Sequence, residues 1–506
     1  MKNFFQNRKL GFWLTIGAAC IAFVGSIAYL ISYALTADPV TGEWDRVFKW
    51  TVFLLMLGGS LIACGGELLR LRFVPILRSP NAAAGRRPRR NGGVSMALIH
   101  DNPASEGVLN GLKRARRLVE AAFTPVRPFP IVTNRYRADG SREYVENYAP
   151  AWLPEKGLPY SSVRRVEKYI GYNVSFETFY SALANPDSVV YTRPIEGTGQ
   201  NVHNHYGIVC SCFVSEVLDL PYRTPCIRFP GLPEVFEVEA VPLENLRLLD
   251  IVLNEKRHIA IITDLERDER GVVRFITVSE SVLPYCRAVR FTTEEFRGYW
   301  LEKGYRIFRY GGVERITYVP DPFLPLAEDG PLPGARINRT LMADYGNRAN
   351  YRLGEPVIVT VFEPGFDHLR VEAPDGTASL FPVVGGKCAL RPKTPGFHMV
   401  CALCGGKRSD PIEFCVTDLA VATDKPAYAP GEAMRVRFRN AAGDPIVAWQ
   451  FNKRASDRGC GGGFFTDPLP ADEIALTCPD VAEKIELYLM ARNTFGVYTS
   501  ERIAVN

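Results

Sequence analysis

The chain has 506 residues, of which 47% are hydrophobic and 23% charged, so it is long enough for several packed domains and is not disordered by composition. Its formal net charge is only +5. Because the basic residues are not interleaved with aromatic residues along one stripe, we expect no nucleic-acid partner.

Two apolar runs near the N-terminus predict a transmembrane hairpin within residues 1–75. The first, at 12–35, contains no charged side chain and is long enough to cross a hydrocarbon core of about 30 Å. The second, at 51–66, reaches about 20 residues with its apolar flanks. A cleaved signal peptide is the alternative for the first run, but the run is long for one and a second run follows closely. We therefore expect a multi-pass membrane protein.

Basic residues flank both runs and bear on the side of the membrane that the rest of the chain occupies. Lys2, Arg8 and Lys9 precede the first run, and the arginine-rich stretch RSPNAAAGRRPRRN lies in a flexible linker at 76–105. Such flanks favour the cytoplasm, although long domains are translocated regardless of local charge. The sequence therefore does not decide on which side of the membrane the rest of the chain lies.

Residues 106–335 are predicted to form an α+β domain with its core at 160–310. An amphipathic helix is expected at its start, within 106–122. The core mixes helical stretches (SSVRRVEKYI, SFETFYSALA, FVSEVL, TEEFRGYWLEKG) with short apolar strands (DIVL, HIAIIT, VRFITVSE).

An internal repeat predicts two tandem Ig-like β-sandwiches, at 340–420 and 421–506. The segments that begin at Tyr351 and Tyr428 share the pattern Y-x-x-G-E-x-x-x-V. Their spacing matches the length of a small sandwich, and the glycine supplies the turn before a strand.

The stretch HYGIVCSCFVSEVL predicts a helix that begins near Cys210. A thiol at a helix N-terminus meets unpaired N–H groups and the positive end of the helix dipole, which favour the thiolate and make the sulfur a nucleophile. Cys212 is about 200 degrees further around the helix, so the two sulfurs do not share a site.

A thiolate nucleophile needs an imidazole, and His258 begins the strand HIAIIT after a tight turn. The next strand ends near Glu280, a polar group able to accept a hydrogen bond from the far ring nitrogen and fix its tautomer. We therefore expect Cys210, His258 and Glu280 to form a triad.

The motifs VCSCFV at 209–214, LDIV at 249–252 and HIAI at 258–261 resemble those of the NlpC/P60 cysteine peptidases of the papain-like superfamily. Val and Cys replace the Asp and Gly that flank Cys-Ser in that family. The resemblance implies a papain-like fold, with Cys210 as nucleophile, His258 as base and Glu280 as third residue, for which Ser279 is a weaker candidate. It also implies an upstream tyrosine, for which Tyr191 and Tyr206 are candidates. His205 and Ser211 are further candidates for substrate binding.

The resemblance implies a bacterial membrane-anchored hydrolase that cleaves amide bonds in peptidoglycan stem peptides or another amide-containing polymer. Two alternatives stay open. One is a cytoplasm-facing thiol amidase or acyltransferase with a substrate outside the cell wall, and the other is an inactive binding or adhesion protein.

No cofactor or metal is expected. An H-x-H…C-x-C site made of His203, His205, Cys210 and Cys212 fits no usual zinc spacing. The remaining cysteines of the sandwiches are interpreted as structural, whether as thiols, disulfides or a zinc site: Cys388, Cys401, Cys404, Cys415, Cys460 and Cys478.

Overall fold

The structure is a computed structural model. It describes residues 98–136, 142–161, 170–171, 174–192, 196–198, 201–203, 206–221, 223–440, 446, 448–455, 463–466, 473–480, 484–493, 496–499 and 503–506. The two predicted membrane spans and most of the basic linker lie outside these residues.

The first part of the described chain is built on an antiparallel sheet with the strand order β12-β11-β10-β9-β13-β8, to which β1 is added beside β10. Both faces of this sheet are apolar and covered, so the central strands are almost completely buried. Ile259 and Ile261 belong to the core on one face, and Ala260 and Ile262 belong to a second core on the other face. The strands are β1 Ile99–His100, β8 Val235–Val238, β9 Ile251–Asn254, β10 His258–Arg267, β11 Val273–Ser281, β12 Cys286–Thr292 and β13 Arg306–Tyr310.

Five short α-helices accompany this sheet in the described part. The first is capped by Ser105, whose Oγ accepts the N–H of Val108, and it packs against the fourth helix. The helices are α1 Glu106–Glu120, α2 Phe176–Ala184, α3 Val189–Thr192, α4 Cys210–Val217 and α5 Thr293–Tyr299. Short 3₁₀ segments span Cys226–Gly231, Leu243–Asn245, Leu301–Lys303, Val313–Arg315 and Ala327–Asp329.

Three two-stranded ribbons lie between these helices. They pair β2 with β5, β3 with β4, and β6 with β7. Their strands are β2 Ala122–Phe123, β3 Phe129–Tyr136, β4 Arg142–Ala149, β5 Glu155–Lys156, β6 Glu196–Thr198 and β7 Asn201–His203.

Two β-sandwiches follow, each made of a three-stranded and a six-stranded sheet. The first contains β14 Leu341–Ala343, β15 Asn350–Arg352, β16 Val357–Val361, β17 His368–Glu372, β18 Ala378–Pro382, β19 Lys387–Leu390, β20 Gly396–Cys404, β21 Lys407–Arg408 and β22 Ile412–Thr417. The second contains β23 Ala420–Thr423, β24 Ala427–Tyr428, β25 Ala433–Arg439, β26 Ala448–Ala455, β27 Gly463–Thr466, β28 Glu473–Thr477, β29 Ile485–Asn493, β30 Gly496–Thr499 and β31 Ile503–Val505.

The repeated Y-x-x-G-E pattern performs the same task in both sandwiches. Each tyrosine is buried on a short strand that pairs in parallel, and its hydroxyl donates to an aspartate, from Tyr351 to Asp344 at 2.7 Å and from Tyr428 to Asp424 at 2.6 Å. Each glycine has a positive φ. Each glutamate accepts the N–H of the residue three positions earlier. The pattern therefore specifies a turn at the glycine and a buried tyrosine that holds the strand before this turn in place.

The first sandwich shares one apolar core with the α-helical side of the preceding sheet. Main-chain groups of the sandwich bond directly to α2 and α3, because Asn347 N–H donates to Ser181 Oγ at 2.7 Å and Val189 N–H to the Asp344 carbonyl at 3.0 Å. The second sandwich has a core of its own.

The predicted membrane location is corrected by the structure. Among the described residues, no helix is long and apolar enough to cross a membrane. The longest of them, α1, has 15 residues and carries charged side chains, whereas a span needs about 20 mainly apolar residues. Nothing in the described part supports a multi-pass protein.

The predicted fold class is also corrected, because the described chain is mainly β-sheet with few, short helices. The stretch TEEFRGYWLEKG was predicted as one helix, but α5 ends at Tyr299 and a 3₁₀ turn follows. Gly304 then adopts a left-handed conformation, with a φ of 78°, and directs the chain into β13. The stretch SSVRRVEKYI falls largely outside the described residues.

A side chain at Gly207 would have no room. A Cβ there would lie 2.3 Å from Ser161 Cβ and 2.7 Å from the Pro159 carbonyl oxygen. We expect Gly207→Ala to lower the free energy of unfolding by about 1–3 kcal/mol, measured by urea denaturation.

Gly334→Ala is the matched control, because a Cβ at Gly334 would meet no atom within 4 Å. Its effect is expected to stay within about 0.5 kcal/mol. An equal loss in both variants would contradict the close packing at Gly207.

Candidate active site

Cys210 is the first residue of α4. Val209 is the extended N-cap residue before it, and no side chain caps this helix N-terminus. The helix is held by Phe213, Val214 and Val217, which are completely buried, whereas Cys210 is only half-buried. The sulfur therefore lies beside the main-chain N–H groups of the first helical turn, which favour the thiolate.

His258 and Glu280 meet on one face of the sheet. Ile261 is paired with Ser279 between β10 and β11, so Ala260 lies opposite Glu280 and His258 is its diagonal neighbour on the same face. The His258 Nε2 atom lies 2.8 Å from Glu280 Oε2. This contact occupies Nε2, so Nδ1 is the ring nitrogen that does not contact Glu280.

Glu280 is buried and has a second partner. Its Oε1 atom accepts a hydrogen bond from Arg287 Nε at 2.7 Å, while Oε2 remains bound to His258. Burial raises the pKa of Glu280, but the hydrogen bond and charge of His258, followed by those of Arg287, outweigh it and lower the pKa below its usual value. The carboxylate is therefore ionised and holds His258 in place.

Cys210 and His258 shift each other's pKa in opposite directions. The pKa of Cys210 lies well below its usual range, first because the Cys226 thiol donates a hydrogen bond to the sulfur. Burial acts in the opposite direction and raises this pKa. The hydrogen bond and the charge of His258 lower it further. Burial lowers the pKa of His258, but the hydrogen bond and charge of Cys210, with those of Glu280, raise it to about 10. At neutral pH the pair is thiolate and imidazolium.

Aromatic packing fixes the imidazole plane. Trp300 is buried and stacks on His258 with an interplanar angle of 14° and ring centroids 6.2 Å apart. Tyr305 packs edge-on against Trp300. Burial, with smaller effects from the charges of Tyr299, Glu280 and Cys210, raises the pKa of Tyr305 to about 12, so its hydroxyl stays protonated close to the pair.

Two buried serines connect the segments that carry the site. Ser281, next to Glu280, donates from Oγ to the Ile208 carbonyl at 2.5 Å and so fixes the approach to α4. Ser215 donates to the Ser211 carbonyl at 2.8 Å and accepts the N–H of Thr224 at 2.9 Å. The second contact holds the segment that leads to the 3₁₀ turn at 226–231.

Cys226 is a site residue that the sequence reasoning missed. Its Sγ atom lies 3.9 Å from Cys210 Sγ. The hydrogen bond to Cys210 comes first among the causes that raise the pKa of Cys226 well above its usual range, followed by burial and the negative charge of Cys210. The segment YRTPCIRFPG has no periodicity that would place this cysteine beside α4.

The other predicted site residues that the structure describes do not join this cluster. The Tyr191 hydroxyl donates to the Leu183 carbonyl at 2.7 Å, and the Tyr206 hydroxyl donates to the Tyr345 carbonyl. Both phenols thus have structural partners. Ser279 Oγ pairs with Thr263 Oγ1 at 2.8 Å, so Glu280 and not Ser279 contacts His258. Ser211 is buried in α4, and His205 lies outside the described residues.

Metal binding has little support in the described part. The one group there with suitable atoms close together contains His100, Asp264 and Glu266, within 4.8 Å of one another. Glu266, however, already accepts two hydrogen bonds from Arg290. No disulfide joins the described cysteines of the sandwiches: Cys388, Cys401, Cys404, Cys415 and Cys478. Cys460 and the side chain of His203 lie outside the described part.

No protein-family model matches the chain, and no curated protein matches it. Among the solved structures that match, a two-domain fibronectin type III segment of chicken tenascin is 14% identical, covers 33% of this chain and 96% of its own, and has a TM-score of 0.21. The chicken interferon gamma receptor alpha chain is 11% identical, with 32% and 95% covered and a TM-score of 0.19. A structure titled as a myokine is 11% identical, with 17% and 92% covered and a TM-score of 0.14.

These comparisons correct the resemblance drawn from the sequence. They give no evidence for a papain-like or NlpC/P60 protein, and the assignment to that family was wrong. The short motifs VCSCFV and HIAI reflect a helix start and a strand start, which many folds contain. The comparisons do not indicate a hydrolase either, so the chemistry has to be argued from the site alone.

Proposed function

We propose that this protein is a thiol hydrolase that cleaves an amide or ester bond through a covalent acyl-enzyme on Cys210. The observation that carries the proposal is the chain of contacts from Cys210 through His258 to Glu280, in which the last contact is 2.8 Å. A nucleophile, a base and a group that orients the base are the parts that acyl transfer requires.

The geometry supports a two-step reaction. The Cys210 thiolate attacks the substrate carbonyl carbon, and the developing negative charge on the carbonyl oxygen meets the uncapped N–H groups at the start of α4. His258 donates its proton to the leaving amine or alcohol as the thioester forms. Neutral His258 then takes a proton from water, whose oxygen attacks the thioester and releases the acid and the Cys210 thiolate.

Glu280 supports both steps without contacting the substrate. Its negative charge stabilises the imidazolium, and its hydrogen bond keeps Nε2 occupied so that Nδ1 serves Cys210. Stem peptides of peptidoglycan were suggested only through the family resemblance. They are therefore one member of the amide class to be tested, beside esters and other peptide amides.

A binding or adhesion role is the second candidate. It is favoured by the two tandem sandwiches, which make up the last third of the chain and contain none of the site residues. The presence of the complete triad argues for the hydrolase, because a protein that only binds has no need of an ionised, partly exposed thiolate.

Trapping of the acyl-enzyme tests the proposal. The purified full-length chain would be mixed with a panel of activated esters and peptide amides, including stem peptides, quenched in acid and examined by mass spectrometry. We expect a thioester on Cys210 that hydroxylamine removes. Cys404→Ser is the matched control, because it removes a half-buried thiol from the first sandwich and should leave the adduct unchanged. An adduct on other cysteines with none on Cys210 would reject the hydrolase in favour of the binding role.

A further inference from the structure

Cys226 forms and breaks no covalent bond in the acyl-transfer steps, yet its thiol lies against the nucleophile. The two sulfur atoms are 3.9 Å apart, and both residues are half-buried. Cys210 begins α4, and Cys226 begins the 3₁₀ segment at 226–231, so two separate segments of the chain deliver these thiols to one place.

The separation is short enough for covalent bonding after a small adjustment. A disulfide bond is about 2.05 Å long, so the sulfurs must approach by about 2 Å. Partial rotation about the Cα–Cβ bond of Cys226 moves its sulfur by this much. During this rotation, the hydrogen bond from Thr224 N–H to Ser215 Oγ keeps the backbone just before Cys226 against α4.

We propose that Cys210 and Cys226 form a reversible disulfide when the protein meets a hydroperoxide, which makes this pair an oxidation site. Cys210 is the residue that reacts first, because it carries the thiolate, and Cys226 resolves the product. The consequence for catalysis rests on the proposed function: the disulfide removes the nucleophile and shields it from irreversible oxidation, and a dithiol restores it.

The chemistry balances with hydrogen peroxide as the oxidant. The Cys210 thiolate attacks one peroxide oxygen, the S–O bond forms, the O–O bond breaks, and the leaving hydroxide takes a proton from His258 to become water. Neutral His258 then accepts the Cys226 proton, the Cys226 sulfur attacks Cys210 sulfur, and hydroxide leaves and is protonated to a second water. Two thiols and one peroxide thus give one disulfide and two waters.

The test uses the full-length chain, a small excess of hydrogen peroxide, alkylation of the remaining thiols and peptide mapping by mass spectrometry. In the wild type we expect a Cys210–Cys226 cross-linked peptide, the loss of two titratable thiols, and full recovery with dithiothreitol. In Cys226→Ser, Cys210 should instead advance to sulfinic acid, which dithiothreitol does not reverse. Cys404→Ser should form the cross-link as the wild type does. Melting temperatures would confirm that each variant is folded.

Absence of the cross-link in the wild type overturns the proposal, whether Cys210 stays reduced, becomes sulfinic acid or pairs with another cysteine. The measurement needs no substrate. A cross-link in a chain that forms no acyl-enzyme would therefore reject the hydrolase and support the oxidation site. An acyl-enzyme without a cross-link would support the hydrolase and reject the oxidation site.

Discussion

Replacing Cys210 by serine is expected to lower the rate of amide or ester hydrolysis by at least about 10³-fold while the chain keeps its fold. The serine hydroxyl is not ionised at neutral pH, so His258 loses the negative partner that raises its pKa to about 10. The variant therefore lacks both the nucleophile and the ion pair. Initial rates on the substrate that gives the acyl-enzyme would measure the effect.

Cys212→Ala controls for the loss of a thiol from the same helix. Cys212 is completely buried, two residues along α4, so its replacement should reduce stability by roughly 1 kcal/mol and leave the rate per folded molecule unchanged. If Cys210→Ser retained more than about a tenth of the wild-type rate, a requirement for a thiolate at this position would be excluded.

Glu280→Gln is expected to lower kcat by about 10²–10⁴-fold with little change in KM. The amide keeps the shape of the carboxylate but not its charge, so the imidazolium is less stable and His258 is held less firmly. Because the charge of Glu280 helps to raise the pKa of His258, removing it lowers that pKa. With an amide substrate, which needs the His258 proton, the alkaline limb of the rate profile lies near pH 10 in the wild type and should move to lower pH in the variant.

Glu266→Gln is the matched control for Glu280→Gln. Glu266 lies on the neighbouring strand β10 and is also buried and paired with an arginine, Arg290, but it does not contact His258. We expect this control to keep its rate and its pH profile. A Glu280→Gln rate within about threefold of the wild type would show that Glu280 only stabilises the fold.

The contact between His258 and Glu280 could be predicted from sequence because it is local to a hairpin. Two strands with a period of two place alternate residues on one face, and the helix start at Cys210 follows from the apolar positions of 213–217. The order of these segments was therefore enough to select the three residues that the structure brings together.

The positions of Cys226, Tyr191 and Tyr206 relative to the nucleophile could not be predicted from the sequence. The position of Cys226 depends on how a proline-containing segment crosses α4, which no periodic pattern specifies. Tyr206 and Tyr191 are close to the nucleophile in sequence, but their hydroxyls satisfy carbonyl groups in the core, one of them in the first sandwich. The helix content was overestimated because stretches such as TEEFRGYWLEKG were taken as one helix, whereas α5 ends at Tyr299 and a 3₁₀ turn follows it.

The proposed chemistry requires that Cys210 is a thiolate stabilised by His258. The rate of Cys210 alkylation as a function of pH tests this requirement. Limiting iodoacetamide would be applied to the full-length chain over a range of pH, with labelling at each cysteine read by mass spectrometry, for the wild type and for His258→Ala. We predict that Cys210 is labelled first, with a rate that stays high well below the usual pKa of a thiol, and that His258→Ala moves the inflection to higher pH while the Cys226 hydrogen bond keeps part of the shift. A Cys210 that titrates as an ordinary thiol in the wild type, or that is unaffected by His258→Ala, would contradict the account.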